Sequence, residues 1–101
     1  MIRLSQIELD ETRLASVCRN YSVRELSVFG SAATGNMRSD SDVDMLVEFQ
    51  PAAEIGLIEF AGLMLDLTEL VGRKVDLVSK KGLKPLIRDS ILGQARLVYA
   101  A

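Results

Sequence analysis

The residues with the clearest chemical potential lie between Gly30 and Asp44. Gly30-Ser31 is followed, after the ten residues Ala32 to Ser41, by Asp42-Val43-Asp44. Residues i and i+2 of a strand project to one side, so Asp42 and Asp44 are expected to stand together. Paired carboxylates repel, and burying them unpaired is costly. A hard divalent cation relieves that cost, and magnesium prefers carboxylate and phosphate oxygens. Taken alone, Asp-x-Asp would more readily be a pair that merely solvates a strand end. The upstream Gly-Ser shifts that balance. A glycine directly after a strand lets the backbone approach a ligand closely, and a helix opening there turns free N–H groups toward an anion. Ser31 adds a hydroxyl donor, although by itself it could be an ordinary helix cap.

Combined, these parts read as a site for a triphosphate and its metal. Four fixed identities at this spacing arise by chance in about one such chain in a thousand at average residue frequencies. Other chemistries are closed to the chain. It has no histidine, which removes Cys–His nucleophiles, serine triads and histidine-assisted zinc sites. Its one cysteine, Cys18, allows no disulfide framework and reads as a small buried hydrophobe on a helix. Neither Gly-x-x-x-x-Gly-Lys nor Gly-x-Gly-x-x-Gly occurs. The apolar stretch Ile55 to Leu70 is broken by Glu59, Asp66 and Glu69, so no membrane span is expected. Met1 to Ser5 lacks the apolar run of a signal peptide. The expected location is the cytoplasm.

The elements that must position this site follow from periodicity and punctuation. Ser5 with Glu8 has the spacing of a capping box, which predicts a helix from there to Asn20 with Ile7, Leu14, Val17 and Cys18 inside. Leu26 to Phe29 reads as a buried strand, Ser31 to Thr34 as a short helix closed by Gly35, and Val43 to Phe49 as a second strand. A long helix from about Glu54 to Val71 should stop at Gly72, with Lys74 to Ser79 as a third strand. Pro85 opens a last helix, with Leu86, Ile87, Ser90 and Ile91 inward, and Leu97 to Tyr99 closes the sheet. The expected fold is α/β (α+β), a small mixed sheet with helices packed over it. One domain over residues 1–101, with its motif core at about 23–80, suits the length.

Charge is unevenly placed. Five Arg stand against twelve acids from Met1 to Glu69, whereas seven Lys or Arg stand against two acids from Arg73 onward. The basic run Arg73, Lys74, Lys80, Lys81, Lys84, Arg88 could grip a triphosphate, RNA or an acidic partner, or simply be a solvated face. Scarce aromatics argue against direct RNA binding, since Phe29, Phe49 and Phe60 read as core.

Gly30-Ser31-(ten residues)-Asp42-x-Asp44 resembles the signature of the minimal nucleotidyltransferases. The likeness continues through Gly72-Arg73-Lys74-Val75-Asp76-Leu77-Val78 and from Lys84-Pro85 to Val98-Tyr99. It implies the nucleotidyltransferase fold and transfer of AMP from ATP to a hydroxyl. By the same resemblance Asp42, Asp44 and Asp76 hold two magnesium ions, and Asp76 helps deprotonate the acceptor. Gly30 and Ser31 hold phosphates. Asp76 is also an acid flanked by Val75 and Leu77, with an exposed alternate-face position as its other reading. One departure stands out. Family members often carry an arginine soon after Gly-Ser, where this chain has Ala32-Ala33-Thr34, and Arg38 is the loop residue that could replace it. Stand-alone minimal members resemble antitoxins paired with a HEPN-type ribonuclease toxin, which they are thought to AMPylate on a tyrosine. The implied partners are that toxin and a nucleoside triphosphate, with homo- or hetero-oligomers open. Two other readings stay open: a non-catalytic antitoxin that masks its partner, and a small-molecule nucleotidyltransferase completed by another subunit.

Overall fold

The computed structural model describes residues 1–101. The chain starts with a hairpin, β1 (Ile2–Leu4) and β2 (Ile7–Leu9), followed by α1 (Glu11–Asn20), β3 (Val23–Phe29) and the short α2 (Ser31–Thr34). β4 (Val43–Phe49), α3 (Leu57–Val71), β5 (Val75–Ser79), α4 (Pro85–Gln94) and β6 (Arg96–Ala100) complete it. The main sheet has the order β5-β4-β3-β6. β3 pairs antiparallel with β4 and with β6, whereas β4 and β5 run parallel across the α3 crossover. This is the mixed sheet expected.

β4 shows how the sheet separates core from site. Val43, Met45 and Val47 are fully buried and point to the side where α1 and α3 pack. Leu14 and Cys18 of α1 and Leu63 and Leu67 of α3 meet them there, each essentially without exposure. Burying each such leucine stabilises the fold by about 1.5–3 kcal/mol. Strand alternation places Asp44, Leu46 and Glu48 on the opposite face. That face lacks the cover of the long helices, and Asp44 and Glu48 are only half-buried there.

The long helix ends where expected. Gly72 takes φ +78, and its N–H donates to the Thr68 carbonyl at 2.9 Å, the left-handed stop that glycine adopts without strain. It starts at Leu57 and not Glu54, because Gly56 is extended and forms the N-cap.

Two expectations are corrected. Ser5 and Glu8 do not cap a helix. Ser5 sits at φ +53 in the turn of the hairpin, Leu4 pairs with Ile7, and Leu4, Ile7 and Leu9 add to the core. The cap is Asp10, whose Oδ1 accepts from the N–H groups of Thr12 (3.0 Å) and Arg13 (3.2 Å). In α4, Leu86 is 97% exposed, Ile87 and Ser90 are exposed, and Ile91 is only half-buried. Their spacing marks an apolar side, but no other element of the chain covers it. Phe29, Phe49 and Phe60 are half-buried, and the last two meet edge to face with centroids 6.4 Å apart.

Candidate functional site

β3 ends at Phe29, and Gly30 turns the chain at φ +69, ψ −145, a conformation open to glycine and strained for other residues. Glycine is required here for a second reason. A Cβ at Gly30 would run into Oδ2 of Asp44. The absent side chain is therefore what lets the Asp44 carboxylate lie against the turn. Ser31 follows as the first residue of α2, half-buried, with a hydroxyl that makes no hydrogen bond within the chain.

The register of the sheet brings the acids together. Asp44 lies opposite Phe29 on β3 and directly beside Asp76 on the parallel β5. Asp42 stands just before β4, with its side chain 50% exposed. The Asp44 carboxyl is held above the ordinary value of 3.8, first by burial, then by the charges of Asp76 and Asp42. Asp42 and Asp76 thus both act on Asp44, although the three side chains do not converge into a closed metal-ligating cluster. Lys74 Nζ reaches Asp42 Oδ2 at 4.0 Å, but its side chain is 79% exposed, which makes the pair weak. The oxygen-only donor set, its mutual repulsion and the cradle left by Gly30 fit a hard cation such as magnesium.

Arg38 is exposed, and its guanidinium joins no hydrogen bond or ion pair; only its backbone is engaged, by Ser41 Oγ and by Arg73. Ala32, just after the turn, is buried at 2% exposure and offers no basic side chain to the site.

Around the site two residues, Gln94 and Gln6, escape a reading of the sequence, and a third, Arg73, acts otherwise than its place in the basic run suggests. Gln94, at the end of α4, accepts the Gly30 N–H at 3.0 Å through Oε1. Arg73 donates to the carbonyl of Arg38 at 2.7 Å and to Gln6 Oε1 at 2.8 Å, while Gln6 Nε2 donates to the Met37 carbonyl at 2.9 Å. This clasp pins the loop that leads into Asp42. Gln6 and Gln94 lie 24 or more residues from the motif and carry no charge or periodic signal, so nothing local in the sequence marks them.

A strand, a glycine-serine turn, and acids on the next two strands thus come together at one end of the sheet. Residues 11–98 match the family described as the nucleotidyltransferase domain. The chain belongs to that family and is a nucleotidyltransferase. It is 40% identical over 93 residues to the protein adenylyltransferase MntA of Thermococcus cleftensis, covering 91% of this chain and 92% of the relative. Among solved structures, one described as a minimal nucleotidyltransferase superposes with a TM-score of 0.73 at 38% identity, covering 87% of this chain and 88% of that one. A toxin–antitoxin complex crystallised with AMP-PNP shares the fold at TM-score 0.74 and 21% identity, over 92% of this chain and 75% of that one. The complex of the tri-AMPylated Shewanella oneidensis HEPN toxin with its MNT antitoxin shares it at 0.64 and 18%, over 90% of this chain and 70% of that one.

Proposed function

We propose that this chain transfers AMP from ATP to a hydroxyl of a protein, a tyrosine of a HEPN-type ribonuclease toxin, and so serves as its antitoxin. The observation that carries this reading is Asp44 held between the Gly30 turn and Asp76 on the next strand. The relative named a protein adenylyltransferase and the fold shared with toxin–antitoxin complexes support the protein acceptor. No helix of the chain is long and apolar enough to cross a membrane. The proposed place of action is the cytoplasm.

Asp42, Asp44 and Asp76 would hold magnesium, which when bound supplies positive charge to the triphosphate. Ser31 Oγ offers a free donor to the β- and γ-phosphates. The Gly30 N–H is engaged by Gln94, so a phosphate contact there needs that amide to yield. Asp76, exposed at the edge strand, takes the proton of the acceptor hydroxyl. The acceptor oxygen bonds to the α-phosphorus, the bond to the bridging oxygen breaks, and pyrophosphate leaves. Arg38, unpaired in the loop before Asp42, is free to turn toward the phosphates.

Co-expression with a HEPN-type toxin, read by intact mass, tests the proposal. The wild-type chain should leave the toxin heavier by whole AMP increments. The Asp42→Asn/Asp44→Asn double variant should fold, transfer nothing and protect no cells. Full protection by that variant, with no mass change in either case, would hand the function to masking.

A further inference from the structure

The end of the sheet opposite the carboxylates carries two adjoining hollows that the transfer reaction does not use. The larger, about 370 Å³, lies between the end of β4 and the start of α3, with Phe49, Ala53, Ile55, Leu57 and Phe60 in its wall. Leu57 stands at its mouth, 84% exposed. The second, about 300 Å³, is basic, with Arg24, Lys80, Lys81 and Arg88 around the single acid Glu48. That acid is already used, because Lys80 Nζ meets Glu48 Oε1 at 3.3 Å. Arg24, Lys81 and Arg88 remain exposed and join no ion pair. Glu48, Phe49 and Lys81 line both hollows, so the two are one surface: an apolar socket rimmed by three free cations. The cations come from β3, the turn after β5 and α4, so the fold itself assembles like charges against their repulsion.

We infer that this surface docks an acidic segment of the protein acceptor, with one large apolar side chain in the socket and carboxylates on the rim. The inference rests on the proposed reading that the acceptor is a protein. Two guanidiniums suit carboxylates because their donors pair in a fork, and an apolar socket takes an anchoring side chain in the manner of an interface hot spot. Single-stranded RNA fits less well, since it needs open aromatic faces on which bases stack. Phe49 and Phe60 are half-buried and turned edge to face against each other. Asp44 and Phe49 stand five residues apart along β4, about 16 Å at ordinary strand rise. A segment held at the socket therefore leaves the carboxylate end free and raises the local concentration of an acceptor hydroxyl there.

Fluorescence anisotropy on the full chain, without nucleotide, tests this. The probe is a short fluorescein-labelled peptide of Asp and Glu with one central Phe. Binding should weaken with added salt. It should fall about tenfold or more in Arg24→Glu/Lys81→Glu/Arg88→Glu, and less in the corresponding triple Gln variant, which guards against a folding artefact. Replacing the probe's Phe by Ser should cost about tenfold. The Asp42→Asn/Asp44→Asn chain should bind the probe like wild type, so failure of transfer and failure of docking read out separately. Unchanged affinity in the charge-reversed chain, equal binding of the Phe-less probe, or tighter binding of an oligoribonucleotide of equal charge would each overturn the inference.

Discussion

Asp44 is where the fold works against itself. Its carboxyl is raised above the ordinary value first by burial and then by Asp76 and Asp42, so the folded state favours the protonated form. For a group raised on folding, the stabilising contribution is present below the unfolded value and is lost as pH rises through the folded one. At neutral pH the ionised Asp44 therefore opposes folding. Asp44→Asn keeps the shape, removes the charge and relieves Asp42 and Asp76 together. The metal-free variant should melt higher than wild type at pH 7 by up to a few degrees, since water still screens much of the side chain. The difference should shrink as pH drops through the carboxylate range. A lower melting temperature at pH 7 would mean that Asp44 supports the fold by contacts outweighing its repulsion. Stability traded for ligation is what the proposed cation site would look like at the scale of one residue.

Among the elements, the seam between the end of α1 and the middle of α3 gives the sharpest energetic contrast. Tyr21 closes α1 and its hydroxyl donates to Asp66 Oδ2 on α3 at 2.8 Å. Gly62, one turn earlier on α3, leaves the room: a Cβ there would lie 2.9 Å from the Tyr21 hydroxyl. Gly62→Ala gains about 1 kcal/mol of helix propensity but displaces a hydrogen bond to a charged group worth about 1.5–3 kcal/mol. The predicted result is a net loss in thermal or urea melts. In a Tyr21→Phe background, where the hydroxyl is gone, the same change should turn neutral or stabilising. The elements themselves were legible to different degrees. The strand before Gly30, the strand after Asp42 and the helix ending at Gly72 follow from local rules, because each run of apolar residues meets a glycine or a proline at its carboxyl end. The amino-terminal hairpin did not, since Ser5 and Glu8 mimic a cap while Leu4 and Ile7 pair across a turn that only tertiary packing selects. The apolar side of α4 was visible as spacing, but spacing cannot say whether the chain supplies a cover. Site acids fell in register as their alternation implies, whereas Gln94, Gln6 and Arg73 act through contacts made over 31 to 67 positions.

The whole molecule carries its own reporter of how firmly these parts hold together. Cys18 has no exposure, and burial pushes its thiol up from 9.0 to about 12. At pH 8 only about one folded molecule in ten thousand then holds the reactive thiolate, and reagent cannot reach it. Labelling by a disulfide reagent must wait for the core of α1, α3 and the sheet to open. The rate at pH 8 should therefore be orders of magnitude below that of the urea-unfolded chain, in proportion to the opening equilibrium. The same raised value fixes a pH dependence: this group's contribution to stability is intact below pH 9 and is lost as pH rises toward about 12, so alkaline melts should fall through that window. Ligand adds a second dimension. Bound as proposed, magnesium and ATP at about a hundred times their dissociation constant should stabilise the native state by about 2.7 kcal/mol and slow labelling about a hundredfold, if opening is global. Slow labelling that nucleotide leaves unchanged would show α1 opening by itself, with the sheet and its carboxylates still in place. Labelling as fast as in the unfolded chain would contradict the buried position of Cys18 outright.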